Sequence, residues 1–452
     1  MYPEPNIGLA GHSIDVEDMF DTPADLERPP EVEKHILGCK ELTILPFGGL
    51  SENGPYEFQI GSMSSYYPDL SSVRFKGKVK IKKLSSNVEA NLGDADDVAT
   101  VNLIGNSLFN NVECHIQGVP VTDSSSQTYH YKAMIETLLS NGVDAKSSHL
   151  QANRYYNEKV DDFDKNAKSD ATLPYDKKQA LFHKSAVVPF CTTMFIDLFS
   201  GPRYLPPGLN MNIKLHRNSD SFVCIAASGS YKVKIVDLRL YMNMVILDNS
   251  KTSRHLEILE KGGSLYLPFK STKITTKLIE KGIQDWNGTL CTGILPRQLI
   301  VSFVDHEAFN GKIDKNGYVF EPMGINYLTF KKNGTNHPPD GYKPEFDTIP
   351  PDYVREYTAF QDAVGVKKYN GGNWIKLEDY GKHRCFWAID LSGDQCNNAH
   401  THVSDSGKIE LNISMTPTDK MYTMIVYGVY HNLLAVSQDQ SKNLTCKVID
   451  IE

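Results

Sequence analysis

His400 and His402 are the two side chains whose spacing comes nearest to that of metal ligands. Separated by one residue, they would project to the same face of a strand, as in the HxH pair of a cupin-type metal site. Such a site also needs a nearby glutamate, whereas Asp405 comes three residues later and the first glutamate is Glu410. The spacing therefore favours solvated loop histidines over metal ligands.

Two further groups of reactive side chains are equally incomplete. Asp161, Asp162 and Asp164 could attract a cation, but the glycine and glutamate positions of an EF-hand loop are missing. Cys191 has no neighbouring histidine or lysine in the sequence to activate its thiol. Phosphate-binding glycine motifs, GxSxG and HExxH are absent as well. We therefore expect no catalytic, cofactor-binding or metal-binding residues, and no enzyme activity.

Length and composition favour two β units. The chain has 452 residues, which exceeds the size at which a single hydrophobic core stops growing. Apolar residues make up 40% and aromatic residues 10%, enough for each unit to bury a core of strand-favouring side chains. We assign residues 39–248 to a first unit, residues 249–263 to a polar linker and residues 264–452 to a second unit.

The formal charge of −8 is concentrated at the N-terminus. Nine acids against Arg28 and Lys34 give the first 34 residues a charge of −7 and leave −1 for the rest. Prolines and weak apolar periodicity indicate that residues 1–38 form an extended acidic arm, either a solvated tail or an arm that orders against a neighbouring subunit. The nearly neutral body lacks a large basic block, which argues against specific nucleic-acid binding.

Cysteine spacing and hydropathy indicate the cellular setting. No two of the eight cysteines lie closer than eleven residues, so the CxxC pairs of zinc sites are absent. The N-terminus lacks a signal-peptide pattern, and no run approaches the ~20 apolar residues of a membrane span. These features predict a soluble chain that is made inside a cell and keeps its thiols reduced.

Period-2 alternation of apolar and polar residues predicts strands along most of the chain. They begin near Ile44 and include residues 56–60, 73–84, 112–116, 211–215, 231–247, 265–269, 298–304, 325–330, 409–415, 421–429 and 433–436. Segment 231–247 is too long for an ordinary strand, and its apolar face changes near Val236, which indicates a bulge. In segment 73–84 one face carries Arg74, Lys76, Lys78, Lys80 and Lys82, which we interpret as protection of an exposed strand surface rather than a lipid or nucleic-acid contact.

Segment 189–222 predicts a buried strand over residues 190–199, a rigid proline-rich loop and a half-buried strand. One helix is predicted at residues 128–140, with Thr128 as its N-cap and Asn141 with Gly142 as a left-handed stop. A shorter helix is predicted at residues 253–260. Residues 141–188 and 331–385 are predicted to be long surface loops.

Four segments occur in a fixed order and carry a family resemblance. They are residues 106–139 (NSLFNNVECHIQGVPVTDSSSQTYHYKAMIETLL), 194–217 (MFIDLFSGPRYLPPGLNMNIKLHR), 295–311 (LPRQLIVSFVDHEAFNG) and 353–360 (YVREYTAF). Together they resemble the capsid proteins of Polinton (Maverick) elements and adintoviruses, dsDNA viruses, over roughly residues 108–436. Residues 312–320 lack the Asn-Pro-Phe run of those proteins, and the acidic arm matches nothing in them.

The resemblance implies an all-β double jelly roll, in which two eight-stranded sandwiches carry a few short helices and long loops. It implies a viral major capsid protein that trimerises into a pseudo-hexagonal, hexon-like capsomer of an icosahedral shell. The implied partners are neighbouring capsomers and the penton and minor capsid proteins, with the long loops forming trimer contacts or an outer tower. The implied location is the virion, after synthesis in the host cytoplasm, and no cofactor is implied.

Three alternatives stay open at this point. A penton or minor capsid protein of the same viruses needs only one jelly roll, which is about half of this chain. A cupin-like metalloenzyme would need a competent set of histidine and glutamate ligands. A carbohydrate-binding jelly-roll module would need a glycan site.

Overall fold

The computed structural model describes residues 34–86, 88–123, 125–158, 162–163, 166–168, 173–366, 372–393 and 404–450. Nearly all of the predicted acidic arm therefore lies outside the described residues. The first strand begins at Ile36, inside the stretch assigned to the arm. Strands and helices are numbered below in chain order.

Two sheets pack into a first sandwich. Sheet A contains β1 (Ile36–Ile44), β3 (Tyr67–Ser85), β4 (Val88–Ala90), β8 (Val188–Thr193) and β11 (Tyr231–Leu247). Sheet B contains β2 (Tyr56–Ile60), β6 (Phe109–Ile116), β7 (Val119–Pro120) and β9 (Met211–Arg217). A short ladder joins β5 (Ala99–Thr100) to β10 (Cys224–Ile225). Phe75 and Leu240 of sheet A share a buried core with Phe58 and Ile213 of sheet B.

Two further sheets pack into a second sandwich. Sheet C contains β12 (Leu265–Ile279), β14 (Gln298–Asp305), β17 (Trp387–Asp390), β19 (Tyr422–Gln438) and β20 (Leu444–Asp450). Sheet D contains β13 (Asp285–Ile294), β15 (Ile325–Lys332), β16 (Thr335–Tyr342) and β18 (Ser406–Met415). Val301 and Met424 of sheet C meet Phe330 and Leu411 of sheet D in the core.

The strand order of the first sandwich is repeated in the second. Sheet A has the order β1-β11-β3, with β8 on the far edge of β3, and sheet C has the equivalent order β12-β19-β14-β17. Sheet B has the order β2-β9-β6-β7, and sheet D has β13-β18-β15-β16. Eight strands in each half thus occupy equivalent places, with β4, β20 and the β5–β10 pair as additions. This confirms the predicted fold class of two eight-stranded sandwiches.

Nine helices connect the strands in the described residues. They are α1 (Ile104–Ser107), α2 (Tyr129–Ser140), α3 (Val143–Ser147), α4 (Pro174–Leu181), α5 (Asp220–Val223), α6 (Asn249–Glu260), α7 (His306–Phe309), α8 (Val354–Ala363) and α9 (Leu377–Tyr380). The helix predicted at residues 253–260 is α6, which starts earlier because the Asp248 carboxylate caps it by accepting from the Lys251 N–H. Within this part of the chain, none of the helices has the length and apolar character needed to span a bilayer.

The predicted helix at residues 128–140 is confirmed as α2, but neither of its predicted caps forms. The Thr128 hydroxyl bonds the Ser126 hydroxyl instead of capping the helix, and Asn141 is extended rather than left-handed. Burial of α2 is not confined to one face of the helix, since even His130 and Lys132 are buried. The cause is tertiary: α2 lies between the two sandwiches and is covered on several sides.

The two predicted long loops are wrong as well, because both segments fold and bury side chains. Residues 141–188 contain α3 and α4, and Tyr155 and Tyr175 from this segment are buried. Residues 331–385 contain β16, α8 and α9, with Phe360 and Tyr380 in the second core. Both segments are mostly polar, and their aromatic residues are too widely spaced to produce the periodicity of a helix or a strand.

Segment 189–222 is partly as predicted. The strand expected over residues 190–199 ends at Thr193, and Asp197–Ser200 forms a 3₁₀ turn that directs the chain toward the second sandwich. The following strand is confirmed as β9. The bulge expected in 231–247 is confirmed by a register shift at Val236, whereas the strands predicted at 421–429 and 433–436 are a single strand, β19.

The Phe190 side chain is held between two glycines. A Cβ added at Gly77 would lie 2.5 Å from the Phe190 ring, and one added at Gly105 would lie 2.6 Å from another edge of the same ring. The ring therefore fills a slot between β3 and α1 that exists only because both positions lack side chains.

Replacing Gly77 by alanine should destabilise the first sandwich. We expect Gly77→Ala to lower the free energy of unfolding by about 2 kcal/mol, because overpacking forces the Phe190 ring off its position. Gly61→Ala is the matched control, since a Cβ there meets nothing within 4 Å. Equal denaturant midpoints for the two variants would contradict this packing.

Candidate functional site between the two sandwiches

Each hydrophobic core contains residues from both halves of the chain. The core of the second sandwich includes Tyr131, Met134 and Leu138 of α2, and the core of the first includes Phe269 of β12 and Leu434 of β19. Full burial of one such side chain contributes about 1.5–3 kcal/mol. The sandwiches therefore meet through shared apolar surface.

An aromatic cluster fixes α2 in this contact. The Tyr131 ring stacks on Phe309 of α7 at 5.3 Å between centroids and lies edge-on to Phe222 of α5 at 5.9 Å. Tyr318 is a third ring, 5.8 Å from Tyr131, and its hydroxyl pairs with the Ser107 hydroxyl at 2.6 Å. These rings come from α2, α5, α7 and the chain after α7, so the contact joins both halves.

Asp197 makes the central polar contact between the halves. It begins the turn after β8 and accepts from Lys132 Nζ of α2 at 2.5 Å. It also accepts from the backbone N–H and the hydroxyl of Thr272 in β12, each at 3.0 Å. All three residues are buried, so the charge of Asp197 is compensated only when α2 and β12 are both in place.

The rest of the FIDLFSGPR turn lies against the same strand. The Arg203 guanidinium donates to the Tyr266 carbonyl at 2.6 Å. A Cβ added at Gly201 would lie 3.3 Å from the Pro268 carbonyl oxygen, so glycine permits this close approach of two backbones. The turn is thus a docking element for β12.

Glu136 extends the network one turn further along α2. Its carboxylate accepts from the Tyr427 hydroxyl of β19 at 3.0 Å and lies 3.8 Å from Lys132 Nζ. Burial raises the pKa of Glu136 to about 7, against the opposing effect of the Lys132 charge. Near neutral pH this carboxyl group therefore exchanges a proton while it faces the second sandwich.

A second buried network lies around Glu158. Its carboxylate accepts from Lys178 Nζ of α4 at 3.0 Å and lies 3.8 Å from the Arg384 guanidinium. Arg384 donates to the Tyr318 carbonyl at 2.6 Å, and its guanidinium lies 4.2 Å from the centre of the Phe163 ring. Segment 141–188 is therefore bound to the second sandwich by charge as well as by packing.

Lys146 supplies a third link. Its buried Nζ donates to the Leu138 carbonyl at the end of α2 and to the Asn373 carbonyl in the second half of the chain. Burial lowers the pKa of Lys146 to about 7, and the Arg384 charge acts in the same direction. The ammonium group is held by two carbonyl dipoles.

The residues considered for metal binding do not come together. His400, His402, Asp161 and Asp164 lie outside the described residues. Asp405 pairs with Lys332 at 2.6 Å, and Glu410 pairs with Lys408 at 2.5 Å. Over the ranges that the structure describes, no group of three potential ligands is found.

The cysteines are separated and mostly covered. Seven of them lie in the described residues, and none of these is in a disulfide. Burial raises the pKa of Cys114 to about 12, which makes its thiol unreactive near neutral pH. Cys191 lies half-buried on β8, opposite Lys76.

A cleft of about 600 Å³ opens along the contact between the sandwiches. Its lining consists mainly of hydroxyl and amide groups from both halves, together with His130. Burial lowers the pKa of His130 to about 3, so the imidazole is neutral and is no general acid near neutral pH. Among the described residues that line the cleft, none besides His130 has a side chain of a type that titrates near neutral pH.

The sequence contained a signal for this contact that periodicity alone does not identify. Lys132 interrupts the apolar face of α2, and Asp197 stands alone inside the apolar run FIDLF. A charge within an apolar pattern predicts either a boundary or a buried partner. The two partners lie 65 residues apart, so only the structure pairs them.

Comparison of the sequence with known proteins finds a distant relative of uncharacterised function. No protein-family model matches the chain. An uncharacterised protein of Caenorhabditis elegans is 23% identical over 397 residues, which cover 85% of this chain and 91% of that protein.

Solved structures of viral shells show the same fold. A structure of the Sputnik virophage is similar with a TM-score of 0.65 at 11% identity, covering 95% of this chain and 92% of that one. The major capsid protein of mavirus has a TM-score of 0.51 at 11% sequence identity, covering 99% of this chain and 97% of that one. The capsid of the virus PBCV-1 has a TM-score of 0.57 at 9% identity, covering 94% of this chain and 100% of that one. The chain is thus a double jelly roll of the kind found in these capsids.

Removing the Asp197 carboxylate should loosen the contact between the sandwiches. We expect Asp197→Ala to lower the free energy of unfolding by about 3 kcal/mol, because Lys132 is left buried without its partner. Asp237→Ala breaks an exposed pair with Arg239 and should cost less than about 1 kcal/mol. Urea unfolding compares the two, and equal losses would contradict the central place of Asp197.

Glu136 should make stability depend on pH in one direction. Its pKa is higher in the folded chain than in the unfolded chain, so its contribution to stability is complete below about pH 4.5 and is lost as the pH rises to about 7. Partial exposure of the side chain screens the effect, and we expect a change of about 2 kcal/mol.

The variant Glu136→Gln should remove this decline, while Glu257→Gln on the exposed face of α6 should keep it. Melting temperatures measured from pH 4.5 to pH 8 provide the comparison. A decline of the same size in Glu136→Gln would assign the pH dependence to another group.

Proposed function

We propose that this chain is a viral major capsid protein that forms homotrimeric, pseudo-hexagonal capsomers of an icosahedral shell. The observation that carries the proposal is the presence of two equivalent eight-stranded sandwiches, fixed to each other within one chain. Three such chains supply six similar sandwiches, and in a closed ring of three chains no interface between subunits is left unpaired.

Similarity along the whole chain supports the proposal. The related capsid structures match over more than nine-tenths of both chains, so the likeness is not limited to one jelly roll. A penton or minor capsid protein built from one sandwich would leave half of this chain unexplained. The major capsid protein is therefore favoured over that alternative.

The proposed domain division follows the two sandwiches. Residues 39–248 are proposed as the first jelly roll, residues 249–263 as the linker and residues 264–452 as the second jelly roll. Residues 1–38 are proposed as a separate arm. The linker contains the whole of α6, and the cores on either side of it share side chains.

A structural role also fits the chemistry of the contact. The buried charges of Lys132 and Asp197 compensate each other, and the charge of Glu158 is compensated by Lys178, so these groups hold the fold together. We propose that the chain has no enzyme activity and needs no cofactor or metal. The cupin-like alternative would depend on His400 and His402.

The proposed lineage is that of Polinton and adintovirus-type dsDNA viruses. The ordered segments ending in IETLL, FIDLFSGPR and AFNG support it, and so does a related chain in an animal, Caenorhabditis elegans. The proposed location is the virion, with synthesis and assembly in the host cell. Neighbouring capsomers and the penton and minor capsid proteins are the proposed partners.

Light scattering tests the proposed assembly. We expect a trimer of about 152 kDa, three times the chain mass of 50.7 kDa, and hexagonal particles about 80 Å across in negative-stain images. A stable monomer at micromolar concentration would contradict the proposal.

A further inference from the structure

The outward face of sheet A carries an excess of positive charge. Eight cations point to this side, and they are Arg74, Lys76, Lys78, Lys80 and Lys82 on β3 and Lys232, Lys234 and Arg239 on β11. Like charges stand directly opposite each other at Lys80 and Lys234 and at Lys76 and Arg239. Such cross-strand pairs destabilise a sheet unless an anion lies near them.

Acids on the described part of the chain pair with some of these cations. Arg74 pairs with Glu41, and both Lys232 and Lys234 pair with Glu52 and Glu89. Those lysines lower the pKa of Glu89 to about 2.

Three central lysines have no acidic partner. The carboxylate of Asp237, which stands opposite Lys78, bonds Arg239 on its own strand at 3.1 Å. Among the residues that the structure describes, Lys76, Lys78 and Lys80 make no ion pair. We call these three residues the lysine row. It is an exposed surface that lacks its counter-charge.

The acidic arm has the matching charge and is attached to the same sheet. Residues 1–33 contain nine carboxylates against one guanidinium, a formal charge of −8. They continue directly into β1, which borders β11 in sheet A. Sequence and sheet topology therefore place an acidic segment at the edge of the basic face.

The arm is long enough to reach the lysine row. Ile36 pairs with Leu247, and Arg239, which stands opposite Lys76, lies eight residues from Leu247 on β11, about 26 Å away. Thirty-three extended residues span about 110 Å. Glu27 and Asp15 stand nine and twenty-one residues before Ile36 in the sequence, and nine extended residues already span about 30 Å.

We propose that residues 1–33 dock across the lysine row of their own molecule and supply its missing counter-charge. The covalent tether favours the arm of the same chain, because it holds the acids near the face at an effective concentration in the range of ~1 mM. The docked arm covers the basic face and competes with other polyanions for it. This proposal is independent of the capsid assignment, because it concerns a single chain.

Zero-length carbodiimide crosslinking of the full chain tests the proposal, since the reagent joins carboxylates to amines in direct contact. We expect arm acids to be linked to Lys76, Lys78 and Lys80 at least about five-fold more often than to the exposed Lys273, Lys281 and Lys447, with the preference lost in 0.5 M salt. In a mixture of ¹⁵N-labelled and unlabelled protein, the two peptides of each crosslink should be either both labelled or both unlabelled, because they come from one molecule.

A second measurement uses the accessibility of the lysines. The variant Asp15→Asn, Glu17→Gln, Asp18→Asn, Asp21→Asn should increase acetylation of the lysine row several-fold. The matched control Glu257→Gln, Glu260→Gln, Glu280→Gln, Asp419→Asn removes the same charge from exposed positions of the body and should leave acetylation unchanged.

Three outcomes would overturn the proposal. Crosslinks spread evenly over all exposed lysines would show that the arm has no docking site. Linked pairs of mixed label would assign the arm to a neighbouring molecule. If acetylation of the lysine row falls only when a DNA oligonucleotide is added, nucleic acid and not the arm occupies the face.

Discussion

The buried carboxylate of Asp197 is the contact on which the relative position of the two sandwiches depends. A charge removed from water must be compensated by nearby groups, and the partners of Asp197 lie on α2 and on β12. Only one relative placement of the two halves brings both α2 and β12 into contact with this carboxylate. The shared cores add the apolar stabilisation, while the carboxylate selects the geometry.

This constraint suits the proposed role in a shell. A capsomer transmits force between neighbours, so a hinge between its sandwiches would make the assembly compliant. Here the helix α2 of the first half is enclosed by the second core, and the Glu158 network binds segment 141–188 to the same sandwich. The double jelly roll therefore behaves as one building block, and the linker that contains α6 is not the joint that holds it together.

Patterns along the chain predicted the fold because most strands keep a strict alternation, as in β18 and the first part of β11. The bulge at Val236 could be predicted too, since a change of apolar face is a local event. The contact between the sandwiches could not be predicted, because the pairing of Lys132 with Asp197 joins distant positions. The segments that carried the family resemblance nevertheless contain residues of the contact between the sandwiches. Glu136 lies in IETLL, Asp197 lies in FIDLFSGPR, and Gly311 of AFNG approaches the backbone of Phe222.

A cryo-electron microscopy map of the purified full chain would show both the proposed trimer and the contact between its sandwiches. We expect a three-fold particle with six sandwiches in a ring, in which the two sandwiches of each chain keep the contact through Asp197 and Thr272. A map with single chains, or with sandwiches of one chain at variable angles, would contradict this expectation.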